Sequence, residues 1–73
     1  MALELDGFDV VVTMCDRTQD GYISGEVYYL GEYITIPVVP CDRNTNSDDA
    51  MLEQLSYVLN ERQLEKEMAS QPL

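Results

Sequence analysis

Residues 22–39, YISGEVYYLGEYITIPVV, decide the fold. Apolar and polar side chains alternate through both halves, the period of a half-buried strand. Gly31-Glu32 stands between the halves as a glycine-first pair, the pattern of a two-residue type II′ hairpin. A turn there pairs Leu30 with Tyr33 and brings Tyr29 opposite Ile34, Val27 opposite Ile36 and Gly25 opposite Val38. Strands are therefore expected over 22–30 and 33–39, with Pro37 confining the second to an edge.

Upstream, FDVVVTMC at residues 8–15 alternates in the same way, with Phe8, Val10, Val12 and Met14 on one face. The polar segment that follows ends in Asp20-Gly21, a turn signal. A four-residue loop at 17–20 sets Phe8 beside Tyr29, Val10 beside Val27 and Val12 beside Gly25. All three apolar rows then share one face, and a slip of one residue would destroy that agreement. Gly25 lies mid-strand beneath this face, where a missing side chain lets a helix approach closely. Leu3 and Leu5 are read as an extension of the first strand past a bulge at Gly7.

Downstream, residues 40–46 are polar, and Ser47 is taken as the N-cap of a helix over 48–68. Asp48 and Asp49 suit the positive end of its dipole. Advancing about 100° per residue, Met51, Leu52, Leu55, Val58 and Leu59 form one stripe, which should lie on the sheet. Beyond Leu59 the stripe carries Arg62 and Lys66, so the second half of the helix is expected to leave the sheet behind. Residues 69–73 read as a frayed tail. The expectation is one α+β domain over 1–73: a three-stranded antiparallel meander, order 1-2-3, with one C-terminal helix on one face.

Composition narrows the function. The 73 residues hold 14 Asp and Glu against 4 Lys and Arg, with no histidine and a net charge of −10. Four scattered cations make no basic face, which argues against direct binding to nucleic acid or to anionic lipid. Attraction is expected towards basic surfaces, including those of proteins that hold nucleic acid. A hydrophobic content of 45% separates the chain from disordered acidic tails. The opening residues carry neither a basic nor an apolar leader segment, and Cys15 and Cys41 are too few for a disulfide framework, so a reducing, cytoplasmic setting is expected.

Catalytic constellations are nearly absent. Lack of histidine removes the commonest base and metal ligand. Neither cysteine stands beside an activating base, and placement on opposite flanking strands level with Tyr22 makes both free thiols. Residues 42–48 resemble a calcium loop only superficially, lacking its central glycine and final glutamate. No enzyme activity, cofactor or metal is expected.

Two surfaces remain as binding candidates. The uncovered sheet face should carry Asp9, Val11, Thr13, Tyr22, Glu26, Tyr28, Leu30, Tyr33, Thr35 and Val39, and tyrosine is enriched in interfaces. The outer helix face carries Tyr57, Leu64 and Met68 amid Asp49, Glu53, Glu61, Glu65 and Glu67. Its carboxylates repeat at about 5–6 Å, near the spacing of successive phosphates on a nucleic-acid strand. With Asp16, Asp20 and Glu26 they offer an acidic surface for a basic groove, while Tyr22, Tyr28, Tyr33, Tyr57, Leu64 and Met68 offer anchors.

The leading expectation is a non-enzymatic inhibitor or adaptor occupying the basic site of a nucleic-acid-handling protein, such as a nuclease or a CRISPR surveillance complex. In charge and size the chain is similar to small phage and mobile-element proteins that block such machinery, a likeness without a motif behind it. The alternative is an interaction module: a homodimer, or a small subunit of a larger complex joined through apolar contacts.

Overall fold

Four antiparallel strands and one C-terminal helix build an α+β structure, a computed structural model that describes the backbone of residues 3–70 and the side chains of residues 3–66. The strands are β1 (Leu3–Leu5), β2 (Phe8–Arg17), β3 (Tyr22–Tyr29) and β4 (Glu32–Pro40), and the helix is α1 (Ser47–Ser70). They form one sheet in the order β1-β2-β3-β4, covered by α1 on one face.

The expected three-stranded meander is thus corrected to four strands. Asp6 (φ 55°) and Gly7 (φ 84°) both adopt positive φ, the pattern of a two-residue type I′ turn. This turn pairs Leu5 with Phe8 and folds Leu3–Leu5 back as a strand of its own, where a bulged extension was expected. Phe8 keeps the helix-side parity but sits at the turn, 53% exposed, outside the core it was expected to join.

The central hairpin also turns one residue earlier than expected, at Leu30 (φ 50°) and Gly31 (φ 82°), pairing Tyr29 with Glu32. Moving the turn by one residue moves each cross-strand partner by two, so the side chains of Ile34 and Ile36 keep their face. Leu30 becomes a turn residue and leaves the strand assigned to it. The β2–β3 loop is displaced the other way, one residue later than expected, to 18–21, and is closed by the Thr18 amide donating to the Tyr22 carbonyl at 2.9 Å.

Two bulges then break the alternation. Pairing shifts between Val12 and Met14 on β2, and between Ile23 and Gly25 where β3 meets β4. At the second, Pro37 and Val38 of β4 oppose Ser24 alone; proline cannot donate to a ladder and is tolerated at such an irregularity. Met14 and Val38, expected inside, are consequently turned out, 59% and 69% exposed. Val39, expected outside, turns in and packs against the core. Cys15 comes level with Gly25, not Tyr22, while the Cys41 amide donates to the Gly21 carbonyl at 2.7 Å. Both thiols are free, Cys15 exposed and Cys41 half-buried.

The core joins Val10, Ile23, Val27, Tyr29, Ile34 and Ile36 of the sheet to Ala50, Met51 and Leu55 of α1, with Leu52, Val58 and Leu59 packed at its rim. Tyr29 is buried and donates its hydroxyl to the Leu5 carbonyl at 2.9 Å, tying β1 to β3 across β2. Gly25 meets the expectation of close approach. A Cβ there would lie 2.7 Å from the Met51 Cε and 2.1 Å from the Met14 carbonyl oxygen.

Asn46, not Ser47, caps α1. Its side-chain oxygen accepts from the Asp48 amide at 2.8 Å and its carbonyl accepts from the Ala50 amide at 3.0 Å. Ser47 is the first helical residue, and its hydroxyl instead accepts from Arg17 at 3.2 Å. Arg17 also donates to the carbonyls of Thr45 (2.9 Å) and Asp42 (2.8 Å), fastening the β4–α1 connection to the end of β2. At the other end Arg62 forms an ion pair with Glu32. Residues 60–66 are all exposed, so this part of α1 lies outside the core. Residues 69 and 70, expected in the tail, are helical; residues 71–73 lie outside the described residues.

Candidate interaction surface

With α1 on one side, the other face of the sheet is open. Register places Val11, Tyr28 and Tyr33 in one row across β2, β3 and β4, and Met14, Glu26 and Thr35 in the next. Tyr22 and Val38 stand nearer the Cys41 end of the sheet. All six apolar or aromatic members of this group, Val11, Met14, Tyr22, Tyr28, Tyr33 and Val38, are exposed. The rings of Tyr28 and Tyr33 contact each other with centroids 4.9 Å apart and planes tilted by 58°. That packing limits the rotamers of both tyrosines before any partner arrives, which lowers the ordering cost of binding.

Polar groups on the same face are all neutral or acidic. Glu4 pairs with Asp9 across β1 and β2, Asp16 pairs with Ser24, and Glu26 lies between Met14 and Thr35. The Thr13 hydroxyl, at the first bulge, lies 3.0 Å from the Glu26 carbonyl oxygen and 3.1 Å from its carboxylate, holding that side chain against the strand. No lysine or arginine projects from this face by register. Arg17 is engaged beneath the sheet end, Arg43 lies in the β4–α1 connection, and Arg62 and Lys66 belong to α1.

The outer face of α1 is the second candidate. Asp49, Glu53, Glu61 and Glu65 are exposed along it, as are Tyr57 and Leu64. Tyr57 donates its hydroxyl to Glu53 at 3.3 Å, one helical turn away. Glu67 and Met68 lie outside the residues whose side chains are described.

The structure therefore does not unite the expected site residues. Tyr22, Tyr28, Tyr33, Glu26 and Asp16 share the open sheet face, whereas Glu53, Tyr57, Glu61, Leu64 and Glu65 look outward from the opposite layer. Asp20 lies in the β2–β3 loop, and Asp49 in the first turn of α1 at the same end of the molecule. One rigid partner surface cannot touch both sides at once. Met14 and Val38 escaped the sequence reading because strict alternation hid them. A proline inside an otherwise regular strand was the available signal for the second bulge, and nothing comparable marked the first.

Among the described residues no group of three or more Cys, Asp or Glu is placed to hold a metal ion. The surface carries shallow depressions, one between the β1–β2 turn and α1 near Leu5 and Leu59, another beside Arg17, Cys41 and Arg43. No described helix is long and apolar enough to cross a membrane. The chain matches no family model, no curated protein and no solved structure.

Proposed function

We propose that this chain is a non-enzymatic protein-binding inhibitor or adaptor that seats an acidic surface on the basic, nucleic-acid-binding site of a partner. The observation that carries this reading is where the cations are. Of only four, Arg17 is engaged with three oxygens at the β4–α1 connection and Arg62 is paired with Glu32. The open sheet face and the outward face of α1 are left with carboxylates and no opposing charge. A field of one sign steers a basic partner and speeds encounter, while desolvated tyrosines hold the complex once formed.

The test is capture of partners by the tagged chain, eluted with rising salt and challenged with double-stranded DNA. The expected catch is a nucleic-acid-binding protein, released by a few hundred millimolar salt and displaced by DNA. Retention through both challenges would refute charge-led competition. It would favour a second reading, assembly into a larger complex through apolar contacts, which rests on the exposed Val11, Met14, Tyr28, Tyr33 and Val38.

A further inference from the structure

We infer that the open sheet face, not the acidic ridge of α1, is the docking surface, and that its occupant is an arginine-bearing basic segment of another protein. The inference rests on the proposed function and names the surface and chemistry through which it acts. Three observations lead to it.

The first is composition by face. By register, Glu4, Asp9, Asp16 and Glu26 project from the open side of the sheet, and no cation does. Beside them on β2, β3 and β4 stand the exposed Val11, Met14, Tyr22, Tyr28, Tyr33 and Val38. Apolar side chains interspersed with carboxylates match a side chain with a flat, weakly hydrated cation at its tip. Guanidinium groups stack on tyrosine faces while donating to carboxylates in the ring plane, which ammonium groups do less well. Tyr28 and Tyr33 supply the faces, already packed against one another, and Glu26, held by Thr13, supplies a carboxylate one row away.

The second observation is the pair of bulges. Unbroken alternation would have put Met14 and Val38 under the helix; the shifts at Val12/Met14 and Ile23/Gly25 turn both towards the open side. The outer helix face, by contrast, exposes only Tyr57 and Leu64 among its described large apolar residues.

The third is size and sign. Strands β2 to β4 with their side chains offer a patch of about 15 × 25 Å, roughly half of the ~800 Å² that each partner contributes to a standard interface. That suits an extended segment better than a second copy of this chain, whose approach would also bring two sets of four carboxylates face to face.

The test uses the full isotope-labelled chain titrated with octaarginine and with octalysine, reading amide shifts and affinity at low salt. The expected result is perturbation centred on Val11, Met14, Glu26, Tyr28 and Tyr33, with octaarginine bound about three- to tenfold more tightly than octalysine. Tyr28→Ser with Tyr33→Ser should remove that preference, and far-UV circular dichroism checks that the variant folds. Tyr33→Ser alone, at a side chain 66% exposed, tests the same stacking if it does not. Glu53→Gln, Glu61→Gln and Glu65→Gln together should change affinity no more than about threefold. Shifts centred on the helix ridge would overturn this inference while leaving charge-led binding intact. Equal affinity for the two peptides would overturn arginine stacking, and concentration-dependent shifts of the sheet face in the free protein would assign it to a second copy. Absence of binding to either peptide would remove both this inference and the proposed function.

Discussion

Gly25→Ala adds one methyl group at the point where three parts of the structure meet. A Cβ built there falls 2.1 Å from the Met14 carbonyl oxygen and 2.7 Å from the Met51 Cε. The methionine methyl ends a flexible side chain and can swing away. The Met14 carbonyl is main chain at the β2 bulge, so relief requires β2 to move away from β3. Overpacking of this kind costs about 1–3 kcal/mol, and the smaller unfolded-state entropy of alanine returns about 0.4–1 kcal/mol. A net loss of about 1.3 kcal/mol lowers the melting temperature of a domain this size by roughly 5–10 °C, readable by thermal circular dichroism. The double variant with Met51→Ala separates the two contacts. If the backbone carbonyl dominates, removing the methionine methyl gives Gly25→Ala no relief. Were β2 unbulged, the register of Val12 with Val27 would continue to Met14 opposite Gly25; with the Met14 carbonyl then held in the ladder, only Met51 would object and the double variant would rescue. A Gly25→Ala protein more stable than wild type would refute the bulged register itself.

Other perturbations test the remaining joints. Leu55→Ala hollows the centre of the helix–sheet contact, where Leu55 is fully buried; a loss of about 2–5 kcal/mol is expected in urea denaturation, a large share of the roughly 4–11 kcal/mol expected for a chain of this length. Asn46→Ala should cost about 1 kcal/mol as loss of the helix cap, and Ser47→Ala clearly less; the reverse order in the same denaturation assay would restore Ser47 as the cap. Arg17→Ala releases the β4–α1 connection, and faster amide exchange at Ala50 is expected with about 1 kcal/mol of lost stability, kept small by the exposure of the arginine. Leu30→Asn should raise the melting temperature by about 2–8 °C, since asparagine tolerates the left-handed conformation that Leu30 is forced to adopt at φ 50°.

How much of this was legible in the residues follows from what each signal depends on. Faces survived an error in the turn, because a displaced two-residue turn moves partners by two and leaves Val27, Tyr29, Ile34 and Ile36 pointing inward. The stripe of Met51 and Leu55 on α1 was equally plain, being a local property of helical period. Bulges were not legible, because they depend on the neighbouring strand: Met14 and Val38 look like core residues until the extra residue beside each is counted. Strand β1 was hidden differently. Its Asp6-Gly7 turn is a strong hairpin signal, but a three-residue strand has too few positions for alternation to show. Of the candidate contact residues, the tyrosines of the open face were found from sequence, whereas the separation of that face from the helix carboxylates required the layers to be assembled.

That separation has a consequence for any complex formed through the sheet. Under the proposed function, a partner that receives the open face acquires the outward side of α1 as its new exterior, and Asp49, Glu53, Glu61 and Glu65 then stand where the partner's positive patch had faced solvent. The patch is not merely covered but inverted in sign. The ridge sits a strand layer and a helix above the contact, well over ~10 Å away, beyond one screening length of about 8 Å at physiological salt. Its repulsion is therefore felt little at the seat itself. Under the proposed function it would act on a polyanion arriving from solution, and the zone denied to nucleic acid would extend past the footprint of the bound protein.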